Sequence, residues 1–277
     1  MQIISSVAEL RACLAGRTGI AFVPTMGNLH EGHLALMRQA RLHGDCVVAS
    51  VFVNPLQFGP NEDFDRYPRT LDVDCKLMEG LVDIVFAPTV REMYPQQQDI
   101  FIELPQIASE LCGASRPGHF RGMATVVIKL LNIVQPQVAI FGKKDYQQLH
   151  IIRQMVAQFN LPVTIVGGEI VRAEDGLALS SRNQYLDPKQ RMEAVQLSVE
   201  LQGLRRELLQ GHADWDALQS AACARLAARG WEVEYISLRA CDSLEVAQSV
   251  MGDTLILAAA KLGVTRLLDN IEVCRAD

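Results

Sequence analysis

The chain has 277 residues, 49% of them hydrophobic, and a formal net charge of −6. That apolar share supports a packed core and excludes disorder, and the acidic balance lacks the electrostatic footprint of a partner for nucleic acid or an anionic membrane. The length suits one large domain or two moderate ones. No apolar run approaches the roughly 18 residues of a membrane span, and the opening segment MQIISSVAELRACLAG lacks the basic region and apolar stretch of a secretory signal. The 7 cysteines are odd in number, widely spaced and free of any C-x-x-C pair. They are expected to be reduced thiols of a cytoplasmic protein, not a disulfide framework or a zinc site.

In chain order, the opening residues read as a short strand and an amphipathic helix. Runs rich in Val, Ile and Phe then predict strands over 19–25, 47–53, 83–88, 138–142 and 163–171. Stretches of helical spacing fall between them, over 33–44, 69–81, 122–134 and 145–159. Strands alternating with helices imply crossover connections, a parallel sheet and helices on both faces, with ligands beyond the carboxyl ends of the strands. The pattern changes after about residue 170. A polar segment, ALSSRNQYLDPKQR, precedes helical stretches over 188–210 and 214–229, then strands over 231–240 and 253–263 flanking a short helix around 243–249. The reading is an α/β chain in two parts: residues 1–170 as a nucleotide-binding domain and 171–277 as a smaller α+β domain, with a short linker.

Four segments carry candidate chemistry. The first is PTMGNLHEGH, where a predicted strand runs into a predicted helix. Gly27 and Gly32 permit close approach of backbone to a ligand, and a helix N-terminus offers unpaired N–H groups to a phosphate. His30 and His33, three residues apart, can project from one side of the first turn and donate to phosphate oxygens. On the residues alone they also suit an ordinary helix cap. They lack the H-E-x-x-H spacing of a metal pair, and no second ligand cluster accompanies them, so no metal site is assigned.

The second segment is FVNPLQFGPNEDFDRYPRT, with Asn54 and Gln57 just past a strand; their amides could read a hydroxyl and a carboxylate together, or merely form a turn. The third is FGKKDYQQL. Gly142 follows a buried strand, Lys143 and Lys144 could neutralise phosphates, Asp145 could cap the next helix, and Gln148 lies on the same helical side as Asp145. The fourth is LALSSRNQYL, in which Ser180, Ser181 and Arg182 supply hydroxyls and a planar cation for a polyphosphate. Either of these could equally be a solvated turn.

The H-x-G-H tetrapeptide at a strand-to-helix turn resembles the signature of the class I nucleotidyl-transfer superfamily. More specifically, PTMGNLHEGHL, VFVNPLQF with DRYPRT, RPGHFRGMATVV, FGKKDYQQL, LALSSRNQYL and ILAAAKLGVTRLLDNI resemble the motifs of the pantothenate synthetase family over residues 19–271. The resemblance implies a Rossmann-like domain with a smaller C-terminal lid domain, a homodimer, and ATP with Mg²⁺, pantoate and β-alanine as substrates. It implies no tightly bound prosthetic group. ATP would be bound by Met26, Gly27, Asn28, Leu29, His30, Glu31, Gly32 and His33, by Gly142, Lys143, Lys144 and Asp145, and by Val171, Leu179, Ser180, Ser181 and Arg182. His33 would act as catalytic acid, with His30 and Lys144 at the phosphates. Gln57 and Gln148 would hold pantoate, Gln57 would also meet β-alanine, and Asn54 and Arg116 would be further site residues. The chain departs from the usual wording at Asn28 (Ala), Lys143 (Glu), Met123 (Val) and Leu179 (Met), none of which removes a catalytic group. A nucleotidyltransferase of the same superfamily and a nucleotide sensor without catalysis stand as alternatives.

Overall fold

In the computed structural model, which describes residues 1–60, 62–212, 214–247 and 253–273, the apolar runs become strands and the periodic stretches between them become helices. The chain divides into two compact units: Met1–Lys143 with Ile151–Glu169, and Lys144–His150 with the chain from Ile170 onward.

The first unit is built on six parallel strands: β1 (Gln2–Ile4), β2 (Ile20–Thr25), β3 (Cys46–Val51), β4 (Ile84–Phe86), β5 (Val138–Gly142) and β6 (Thr164–Gly168). Their order across the sheet is β1-β4-β3-β2-β5-β6. The central strands are nearly continuous in apolar residues because both faces are covered; Ala21, Phe22, Val23, Val47, Val48 and Ala49 are all buried. The covering helices are α1 (Val7–Leu14), α2 (Glu31–Arg41), α3 (Leu71–Met78), the short α4 (Val90–Met93) and α5 (Cys112–Ser115), α6 (His119–Val134), and the later part of α7 (Tyr146–Gln158). Met37 of α2, Met78 of α3 and Ile140 of β5 share one buried cluster with β2 and β3.

This topology locates a binding face. Strands β3 and β4 follow β2 outward on one side, whereas β5 and β6 lie on the other, so the order reverses between β2 and β5. A crevice beyond the carboxyl ends of strands forms where the order reverses. The register places Thr25 level with Val51, and Ser50 level with Phe86. The loops after β2, β3, β4 and β5 therefore all leave the sheet on that face.

The second unit contains α8 (Pro188–Glu193), α9 (Val195–Leu209) and α10 (Trp215–Ala228), packed on antiparallel strands β7 (Trp231–Ala240), β8 (Thr254–Leu262) and β9 (Thr265–Val273) in the order β7-β8-β9. Leu197, Leu201, Leu226, Trp231, Ile236 and Ile256 form its core.

The structure departs from expectation in three places. The stretch 188–210 is two helices joined at Ala194. Strand β9 was not expected. The helix around 243–249 does not form over 243–247: Leu244 is fully buried with φ 58°, its carbonyl accepts from Arg239 Nη1 at 3.0 Å, and Val246 bridges Arg239. A buried left-handed residue ends helical propagation whatever the local propensity. Residues 248 and 249 of that expected helix lie outside the described residues.

Candidate functional site

The turn after β2 is shaped from beneath. Gly27 has φ +80°, and a Cβ there would press on Asp74 Oδ2 and Val51 Cγ1 at 3.0 Å each. Asn28 follows in the left-handed region at φ 51°, which asparagine tolerates better than most residues. Asp74, in the first turn of α3 and 1% exposed, fixes this conformation. Its Oδ2 accepts the Asn28 N–H at 3.0 Å and its Oδ1 the Leu29 N–H at 2.8 Å, while the Thr70 hydroxyl donates to Oδ2 at 3.1 Å.

His30 is the N-cap of α2. Its Nδ1 accepts the Gly32 N–H at 3.2 Å, and His33 Nδ1 accepts the His30 N–H at 3.3 Å. The two rings lie 4.1 Å apart between centroids, tilted by 44°. Since both δ nitrogens act as acceptors, each neutral ring carries its proton on Nε2. The turn therefore holds two imidazole N–H donors beside a helix N-terminus, an arrangement suited to phosphate. Glu31 turns its side chain to Arg38, leaving its backbone to the turn.

Beyond β3, Asn54 caps a one-turn 3-10 helix, Pro55–Gln57. Helix α6 lies against it so closely that a Cβ on Gly122 would meet the Leu56 carbonyl oxygen at 1.9 Å; only glycine fits. Gln57 Nε2 reaches Met26 Sδ at 2.9 Å, which joins this segment to the histidine turn. Arg116 makes a two-pronged contact with Glu62, Nε to Oε1 at 2.7 Å and Nη2 to Oε2 at 2.6 Å. Its Nη2 also donates to the Gln57 carbonyl at 3.4 Å. His119 Nδ1 meets that carbonyl at 2.8 Å and its Nε2 meets Arg116 Nη1 at 3.0 Å. A carbonyl only accepts and a guanidinium only donates, so whenever the His119 ring is uncharged its proton sits on Nδ1. Burial alone would raise the Glu62 carboxyl; the hydrogen bonds and charge of Arg116, with smaller help from His119 and the Gly59 N–H, outweigh it and hold Glu62 below the usual carboxylate range.

After β5, Gly142 ends the strand and Lys143 pairs with Glu169 at 2.7 Å. In the second unit, Lys144 and Asp145 complete a short 3-10 turn before α7, which carries Gln148. Asn270 of β9 donates from Nδ2 to the Lys144 carbonyl at 2.9 Å, fixing that backbone. Val171 and Leu179 are brought together, the Leu179 N–H donating to the Val171 carbonyl at 3.0 Å. Ser180 then caps the 3-10 helix Ser181–Tyr185, its Oγ accepting the Arg182 N–H at 3.3 Å. Behind this hairpin Arg172 grips Asp269 through two bonds of 2.7 and 2.8 Å.

Among the residues that the sequence reading missed are Asp74, His119 and Asn270. Asp74 reads as a routine acidic residue of a helix first turn, and the backbone amides it holds, those of Asn28 and Leu29, lie more than forty residues away. His119 could have been found, because it stands in the RPGHFRG motif beside Arg116.

A parallel sheet whose order reverses between β2 and β5, with a histidine-bearing turn at the reversal, defines an α/β nucleotide-binding protein of the nucleotidyl-transfer kind. The chain belongs to the pantoate-beta-alanine ligase family, whose model matches residues 2–272. It is 55% identical over 274 residues to the pantothenate synthetase of Nitrosospira multiformis, spanning 99% of this chain and 98% of that one. It is 56% identical to that of Chromobacterium violaceum, spanning 99% and 100%. Among solved structures, the pantothenate synthetase of Thermus thermophilus superposes with a TM-score of 0.94 at 46% identity, covering 99% of both chains. The pantoate-beta-alanine ligase of Francisella tularensis, complexed with beta-gamma ATP and beta-alanine, superposes with 0.78 at 34% identity, covering 98% and 97%. Among the described residues no helix is long and apolar enough to cross a membrane.

Proposed function

We propose that the protein condenses (R)-pantoate with β-alanine in an ATP-dependent reaction that yields pantothenate, AMP and pyrophosphate. The observation that carries this reading is the turn at the sheet reversal, where His30 and His33 hold two Nε2–H donors beside a helix N-terminus, in a chain matched to the ligase family along almost its whole length. A carboxylate is a poor acyl donor. In the first step a pantoate carboxylate oxygen attacks the α-phosphorus, the bond to pyrophosphate breaks, and pantoyl adenylate forms. In the second the β-alanine amine attacks the activated carbonyl, AMP leaves with the C–O bonding pair, and the amine gives up a proton. The first step asks the protein only to align reactants and neutralise spreading charge.

The roles follow the chemistry of each group. His33, as acid, and His30 donate to the phosphates, and Lys144 neutralises them. Met26–His33, Gly142–Asp145, Val171 and Leu179–Arg182 serve ATP, which enters with its own Mg²⁺. Gln57 and Gln148 hold pantoate, Gln57 also meets β-alanine, and Asn54 and Arg116 complete the site around Gln57. Residues 1–170 form the domain for ATP and pantoate, 171–277 the smaller one, and the protein works as a homodimer.

The test is exchange of labelled pyrophosphate into ATP. It should proceed with pantoate and Mg²⁺ in the absence of β-alanine and vanish without pantoate. Appearance of ADP and phosphate during turnover would mean attack at the γ-phosphorus and would overturn the adenylate route.

A further inference from the structure

The hydrogen bonds behind Gln57 run in one direction. Asn54 is 1% exposed, and all four positions of its side-chain amide are filled. Its Oδ1 accepts the Tyr94 hydroxyl at 2.8 Å and the Leu56 N–H at 3.3 Å. Its Nδ2 donates to the Gly122 carbonyl at 3.1 Å and to Gln57 Oε1 at 3.1 Å. An amide supplies two acceptor sites and two donor hydrogens, so nothing of Asn54 remains for a substrate. Its orientation is fixed by chemistry, since a backbone N–H can only meet the oxygen and a backbone carbonyl can only meet the nitrogen. Tyr94, which follows α4 beyond the carboxyl end of β4, adds a third constraint of the same sign. Burial holds its phenol far above the ordinary value, so it is a standing donor.

The consequence falls on Gln57. With Oε1 engaged by Asn54, the group left to face a ligand is Nε2, and its neighbour is the Met26 thioether at 2.9 Å. Sulfur is a weak acceptor that an oxygen readily replaces. We propose that Asn54, steadied by Tyr94, sets the polarity of the Gln57 amide, so that Gln57 meets the hydroxy acid as a donor and the site admits only a substrate with an acceptor oxygen at that point. Asn54 and Tyr94 are then positioning residues that act through Gln57. This rests on the pantoate reading given above.

The test is a double-mutant cycle on the full chain, with steady-state constants for pantoate and ATP measured separately. In Asn54→Asp two acceptor oxygens replace the amide, so Gln57 must turn its NH₂ inward and present oxygen to the substrate. The pantoate kcat/KM should fall roughly ten- to a hundredfold, the ratio expected for an unmet buried hydrogen bond, while the KM for ATP stays within about twofold. In a Gln57→Leu background the same substitution should cost almost nothing more. Losses that add in the double variant, or a rise in both KM values together, would overturn the proposal. If Asn54→Asp does not fold, Tyr94→Phe takes its place in the cycle, with a smaller loss of the same sign and the same coupling expected. Absence of pantothenate formation by the unmodified protein would instead overturn the pantoate reading itself, and a folded, active protein with uncoupled losses would overturn only the polarity argument.

Discussion

Asp74 and Asp269 are both buried carboxylates, one in each unit, yet they are held by different groups. Asp269 meets a guanidinium through two bonds and accepts one backbone N–H, from Asn270, at 2.8 Å. Asp74 meets two consecutive backbone amides and a hydroxyl. A carboxylate that grips a cation ties two segments together and leaves each backbone its own conformation. A carboxylate that grips successive amides dictates the backbone itself, and here that backbone is the left-handed turn leading into His30. The first arrangement secures the fold, the second the aim of the histidines.

The sharpest way to break the contrast is Asp269→Ala. It leaves Arg172, a quarter exposed at its side chain, with the Gly176, Ser198 and Asn270 oxygens but, among the described residues, no counter-charge, and removal of one partner of a buried pair costs about 3 kcal/mol or more. Urea unfolding should show this loss, with the catalytic constants of the remaining folded protein little changed. A loss below 1 kcal/mol would make the pair no better than a surface contact.

His33→Ala and His30→Ala should do the reverse, slowing adenylate formation about 10²–10³-fold, roughly 3–4 kcal/mol, as for one lost transition-state donor. Circular dichroism should remain that of the native fold. Near-normal single-turnover rates in either variant would remove that histidine from the chemistry. Asp74→Asn sharpens the comparison further. Its NH₂ group can no longer accept both amides, which leaves a buried N–H unmet at about 1–3 kcal/mol. That loss should appear chiefly as slower adenylation, so a melting shift with unchanged rate would assign Asp74 to the fold alone.

The smallest expected effect concerns Glu62 and Arg116, a partly exposed pair worth under about 1 kcal/mol. Because the folded-state carboxyl lies below its ordinary value, its contribution is complete above the usual glutamate range near 4.3 and fades as pH falls through the folded value. Glu62→Gln should therefore be less stable than the parent by a constant amount from pH 8 to 5, with the gap closing in acid. A gap that widens in acid would reverse the assigned sign.

Much of the first unit was legible because parallel strands buried on both faces leave continuous apolar runs such as CVVASV, separated by helical spacing. The histidine turn was legible because its glycines and imidazoles are adjacent in sequence. Strand β9 was missed because the polar pair Asp269-Asn270 interrupts the apolar residues of TRLLDNIEV, and that both are buried is visible only in the fold. The supposed helix at 243–249 failed for the opposite reason, since good local propensity gave way to the burial of Leu244. Tyr94 and Asp74 have no motif at all. Their roles exist only after β2, β3 and β4 lie side by side, so no local pattern could announce them.

The reversal in strand order also sets a timetable. Strand β5 pairs with β2, Ala21 opposite Val138, across more than a hundred intervening residues. During synthesis at about 5–20 residues per second, the histidine turn therefore emerges many seconds before the strand that completes its sheet, with β2 exposing an edge on that side meanwhile. Strand β1 waits likewise for β4. Such long-range parallel pairing is intrinsically slow, so the nascent first unit is the part of this protein most dependent on protection from stray strand pairing.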